Sequence, residues 1–166
     1  MTMTPVHMQA HGHDLHATGL VIAVHIGAMY LPSPITGILV DRIGRIPVAI
    51  AAGGTLLAAG TVAATSPEDS VVLLTLALAL LGLGWNLGLV AGTAMITDNV
   101  AADTRAKTQG VVDVCVALAG AGGGIASGMV MAATSYAALS IIGGVLALAV
   151  IPFVAFGARP KAGTAA

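Results

Sequence analysis

Charge is what this chain has least of. Only 8% of its 166 residues are Asp, Glu, Lys or Arg, where a soluble globular domain carries roughly 25%. Aromatic side chains are also sparse, at 3%, and there is a single cysteine, Cys115. Each shortage closes a class of function. Six basic against seven acidic residues, a formal net charge of -1, leave no positive stripe to neutralise a phosphate backbone, which excludes nucleic acid as a partner. One cysteine closes no intramolecular disulfide, so Cys115 reads as a small buried apolar residue within a span. The chain has no Gly-x-Ser-x-Gly elbow, no His-Glu-x-x-His pair and no paired intramembrane carboxylates. An intramembrane enzyme would lack its reacting groups, and the chain is read as a non-enzyme that needs no cofactor. Met1 to His16 has no basic leading region and no small-residue cleavage site, so no cleaved signal peptide is expected.

Apolar sequence fills the space that charge leaves. Hydrophobic residues make up 57% of the chain and mean hydropathy is +0.99. A transmembrane helix needs about 20 apolar residues, and five runs qualify: Thr18 to Val40, Pro47 to Ala64, Val71 to Ile96, Val111 to Ala133 and Ala137 to Phe156. None alternates as the strands of a membrane barrel must. The expected fold is therefore all-α and membrane-integral, with residues 1–17 as an outer segment, 18–156 as a five-helix region and 157–166 as a cytoplasmic tail.

The few basic residues orient these spans. Arg42 and Arg45 fall in the first break, Arg105 and Lys107 in the third, and Arg159 and Lys161 in the tail, while the breaks between hold none. Lys and Arg in short loops are retained on the cytoplasmic side. One topology satisfies all five spans, with the N-terminus outside and the C-terminus in the cytoplasm of a cell bounded by its plasma membrane. Polarity sorts the spans further. The first carries His25, Tyr30, Ser33 and Thr36, the third Trp85 and Asn86, and the fourth Asp113 and Ser127, whereas the second and fifth hold only Thr55, Thr61 and Ser140. Polar groups in lipid normally face a bundle interior or a watery cavity. Spans one, three and four are expected to line something, and two and five to face lipid. Glycines four apart, at 84, 88 and 92 and at 120, 124 and 128, predict close packing of the third and fourth spans, since small residues let backbones approach.

The most specific string is Gly37-Ile-Leu-Val-Asp41-Arg42-Ile-Gly44-Arg45. Gly37 admits a neighbouring helix, Asp41 and Arg42 close the membrane end, Gly44 permits a sharp turn, and Arg45 holds the cytoplasmic side. This string resembles the signature loop of the major facilitator superfamily, which follows the second helix of each six-helix half. Ile46 and Pro47 stand where that family often adds another basic residue. The third span has no intramembrane Arg and the fourth no Gly-Pro element, so the resemblance falls on helices eight to twelve rather than two to six, with Met1 to His16 corresponding to the end of helix seven and the outer loop after it. It implies a C-terminal part of a secondary active transporter that moves small solutes by alternating access, with helices one to seven as missing partners. Proton-coupled efflux of a drug or metabolite, an antiporter activity, is the expectation for the complete protein. The part alone is expected not to transport. A non-transporting membrane subunit that assembles with partner helices is the alternative.

Several residues are candidates for the work. His25, Met29, Pro32, Ser33 and Thr36 fall near one helical face, and Pro32 and Pro34 should kink the helix and free backbone carbonyls. Trp85 and Asn86 lie halfway along the third span, the depth at which transporters build substrate sites. His25, Ser33, Trp85 and Asn86 are thus the substrate-cavity candidates, and no basic residue at midplane favours a strongly anionic solute. Asp113, just inside the fourth span, is expected to latch onto Arg42, Arg45 or Arg105. His7, His11, His13, Asp14 and His16 match no closed metal site, and Asp98, Asp103, Arg105 and Lys107 read as a solvated connection.

Overall fold

The computed structural model describes residues 1–149 and 152. Every regular element among them is a helix: α1 (Thr4–Ala10), α2 (Leu15–Tyr30), α3 (Ser33–Ile43), α4 (Arg45–Thr65), α5 (Val71–Asn99), α6 (Arg105–Ala133) and α7 (Tyr136–Leu148). Four apolar stretches are long enough to cross a membrane, namely Leu15–Ile43, Arg45–Thr65, Val71–Asn99 and Arg105–Ala133. The protein is thus an all-α multi-pass membrane protein. The far end of the expected fifth span and the tail with Arg159 and Lys161 lie outside the described residues.

Local chemistry sets the helix boundaries. The Asp14 carboxylate accepts from the Ala17 amide at 2.7 Å and starts α2, Ser70 caps α5 through Leu73 at 3.3 Å, and Ser135 caps α7 through Ala138 at 3.1 Å. Each side-chain oxygen satisfies an amide that has no partner within its own helix. Gly44 alone separates α3 from α4, at φ +95°, where a side chain would be strained. Residues 1–17 are not simply a lead-in. They contain α1, whose Met8 is fully buried against Val21, Leu74 and Leu78.

α5 is the axis of the assembly, with α2, α3 and α4 packed on it and α7 packed on α4. Three glycines make these contacts close. A Cβ on Gly82 would strike the His25 carbonyl, with the Ala28 Cβ at 3.0 Å. One on Gly84 would meet Leu56 at 2.7 Å, and one on Gly60 would meet the Ser140 carbonyl at 2.5 Å. Val40, Val48, Ala49, Ala52, Leu87 and Ala91 form the core between α3, α4 and α5.

Two expectations fail here. The second span was to face lipid, yet α4 is the most enclosed of the four long helices. Its Ala and Gly residues fit against α5 and α7, so low polarity reflects close apolar packing rather than lipid contact. The fourth span was to pack tightly, yet α6 has no buried residue. Nothing lies within 4 Å of a Cβ on Gly120, while Gly124 and Gly128 have a single neighbour each at 3.9 Å. Cys115, on this helix, is exposed rather than buried.

Candidate functional site

The first span breaks where its prolines remove backbone donors. Pro32 and Pro34 have no N–H, which leaves the carbonyls of Ala28 and Tyr30, four residues back, without their helical partners. α2 therefore ends at Tyr30 and α3 begins at Ser33. Asn86 stands across from this break and is 1% exposed. Its amide donates to the Met29 carbonyl at 2.8 Å and to the Ser33 hydroxyl at 2.7 Å. Its oxygen accepts from the Thr36 hydroxyl at 2.5 Å. Both amide hydrogens are engaged and an acceptor lone pair is filled. One residue of α5 thereby bonds the last turn of α2 and the first turn of α3.

His25 lies two turns above this cluster, 4% exposed, with its Nδ1 2.8 Å from the Leu78 carbonyl. An N–H on Nδ1 donates to that carbonyl, which leaves Nε2 as the free ring nitrogen. The structure thus gathers Ser33 and Asn86 directly, adds Thr36 and the Met29 carbonyl, and sets His25 on the same α2–α5 contact. Trp85 does not join them. One position along α5 turns it away, and it is exposed.

The signature loop is at the opposite end of the bundle from α1. Asp41 and Arg42 are exposed, and no atom lies within 4 Å of a Cβ on Gly37, so the close neighbour expected there is absent among the described residues. Arg45 reaches the last turn of α5, where its Nε lies 2.5 Å from an Asp98 carboxylate oxygen. The N–H is not aimed at that oxygen, which makes the pair a contact of charges rather than an aligned hydrogen bond. The sequence leads one to expect Asp113 to latch onto Arg42, Arg45 or Arg105. Asp113 instead accepts from Gln109 at 2.8 Å, one turn back on α6, because α6 stands off from the α3–α4 turn. Asp98 is thus the residue missed, read as part of a solvated loop. Its position at the end of the third span, on the same side as Arg45 by the charge alternation, was the available signal.

A cavity of about 360 Å³ opens between the Met1–Thr4 segment and helices α4 to α7, lined by Leu81, Gly124, Ser127, Tyr136 and Ser140 among others. None of His25, Ser33, Trp85 or Asn86 lines it. His7, His11 and His13 gather at the α1 end near Glu68, while among the described residues no group of three or more His, Cys, Asp or Glu has a geometry able to hold a metal ion.

Apolar helices long enough to cross a membrane, a first span interrupted at its prolines and tied by one buried amide, and a turn tied through Arg45 to the third span mark a multi-pass membrane protein. The chain belongs to the Major Facilitator Superfamily, whose sequence model matches residues 1–165, a family of transport proteins rather than enzymes. It is 64% identical over 93% of its length to the uncharacterized MFS-type transporter YdeG of Bacillus subtilis (strain 168), covering 36% of that protein. It is 63% identical over 93% of its length to the uncharacterized MFS-type transporter YddS of the same strain, covering 35%. The riboflavin transporter RfnT of Brucella anthropi is 39% identical over 68% of this chain, which covers 28% of it. The chain therefore spans about a third of the curated relatives it matches. No solved structure matches it.

Proposed function

We propose that this chain is the C-terminal five-helix part of a secondary active transporter, equivalent to helices eight to twelve, which moves a small solute across the plasma membrane by alternating access. The observation that carries the reading is Asn86, buried in the membrane and bonded on both sides of the break in the first span. A proline interruption within a span, where Leu31 and Pro32 keep helical dihedrals but backbone carbonyls lose their donors, is a place where a bundle can offer polar groups to a solute. Ser33, Asn86 and His25 lie on this contact, and Trp85, next along α5, is exposed. The solute is small and not strongly anionic, because the middle of the described spans holds no Lys or Arg. The proposed coupling is export against proton entry. The relative named as a riboflavin transporter makes a flavin the first solute to test.

The test is flux in proteoliposomes. The complete transporter, under an imposed proton gradient, is expected to move riboflavin or a drug-like cation with saturation, and the 166-residue chain alone to move neither. Saturable flux by the chain alone overturns the second half of the reading, and failure of every neutral or cationic solute overturns the first. Orientation is tested by thiol labelling from outside intact cells, which is expected to reach Glu68→Cys and not Gly44→Cys.

A second reading, a non-transporting subunit that assembles with partner helices, is favoured by α6, which has no buried residue. Recovery of a stoichiometric helical partner that leaves no room for a solute path distinguishes it.

A further inference from the structure

The α1 end of the bundle brings together titratable groups from three parts of the chain. The His7 ring stacks on Tyr136 of α7, with centroids 4.2 Å apart and planes 8° from parallel. The His11 ring lies 4.4 Å from that of His7, and its Nε2 is 3.4 Å from a carboxylate oxygen of Glu68, in the α4–α5 turn. His13 bonds through Nε2 to the Glu68 backbone carbonyl at 2.8 Å. Thr4 and Tyr136 share a hydroxyl hydrogen bond at 3.0 Å. Seven residues are too few for a helix to persist in water by itself. α1 is held by these side chains and by Met8, which is fully buried beneath them.

The Tyr136 end of α1 responds to a proton through His7. His7 is partly buried against the Tyr136 ring, and that burial lowers its pKa, with the neighbouring His11 and His13 adding to the effect and Glu68 opposing it. The groups facing His7 are therefore His11 and His13 from its own segment, Glu68 from the α4–α5 turn and Tyr136 from α7.

We propose that α1 is a pH-sensitive clasp, closed over the ends of α5 and α7 while His7 is neutral, and released at its Tyr136 end when His7 takes a proton. His11 and His13 keep their hold on Glu68, so the segment swings rather than detaches. A group whose pKa is lower in the closed state than in the free chain favours closure above the ordinary histidine range of about 6.5, and that contribution is lost as pH falls through the lowered value. The clasp therefore opens on acidification.

Thiol accessibility in lipid nanodiscs tests this on the full chain, with Cys115→Ser as background. The labelling rate of Met8→Cys by a hydrophilic maleimide, divided by that of the exposed Ala10→Cys, is followed from about pH 7.5 to about pH 5.5. The ratio is expected to rise about threefold or more. His7→Phe keeps a ring on Tyr136 without a titrating nitrogen, and a flat ratio is expected. His7→Gln, neutral without a ring, is expected to give a higher but equally flat ratio, which guards against a misfit of the phenyl group. A flat ratio with His7 present, or a rise that persists in both substitutions, overturns the proposal.

Discussion

α5 and α6 match in length and in glycine spacing and are opposites in structure. Each has 29 residues, each is apolar enough to cross a membrane, and each carries three glycines at four-residue spacing. α5 buries Leu74, Ala77, Leu78, Gly82, Gly84, Asn86, Leu87 and Ala91, and α6 buries nothing. The glycine that meets backbone most closely on α5, Gly82, is not even part of its four-residue series. Spacing alone therefore does not make a contact. A small residue matters where a second helix is present to use the space, and the glycines of α6 have no such close neighbour among the described elements.

Four substitutions sharpen or break this comparison. Gly82→Leu is expected to do most damage, since its neighbours are the His25 carbonyl, the Ala28 Cβ and the Met29 amide, mostly backbone that cannot rotate away. A loss of about 3 kcal/mol should appear as a lowered midpoint in mixed-micelle unfolding of the purified chain. Asn86→Leu leaves the Met29 carbonyl and the Ser33 and Thr36 hydroxyls without their shared partner, at a cost of about 2 kcal/mol in the same assay. Arg45→Gln removes a half-exposed ion pair with Asp98 and should cost about 0.5 kcal/mol, less in high salt. Gly124→Leu, on α6, is expected to change stability by less than about 0.5 kcal/mol in the isolated chain. If it costs as much as Gly82→Leu, the contrast between the two helices is wrong. If it is silent in the isolated chain and abolishes flux in the complete transporter, the contrast becomes a map of where the remaining helices dock.

The spans were legible because lipid imposes a long unbroken apolar run and a one-sided placement of Arg and Lys, both of which are local. The break at Pro32 and Pro34 was legible for the same reason, as was the turn at Gly44. Asn86 was singled out for its depth, but its partners were not, because Ser33 and Thr36 lie some 50 residues away in sequence and no local pattern links them. The resemblance places the end of a helix and an outer loop in Met1 to His16, but nothing local shows where α1 docks. Thr4–Ala10 has no helical periodicity worth reading, and Met8 and Tyr136 fix it from outside. The enclosure of α4 was misjudged because polarity was taken as the sign of an interior face, whereas Ala49, Ala52, Gly53 and Ala59 enter the interior by being small. Asp98 was assigned to solvent by its neighbours, and only the fold brings Arg45 to it.

Gly44 has a mechanical consequence. A connector of one residue has no slack, so an axial pull on α3 is handed undamped to α4, and the pair acts as a stiff elbow with its fulcrum at that glycine. A few flexible residues inserted there would decouple the two rods, leaving each able to slide while the other stays still.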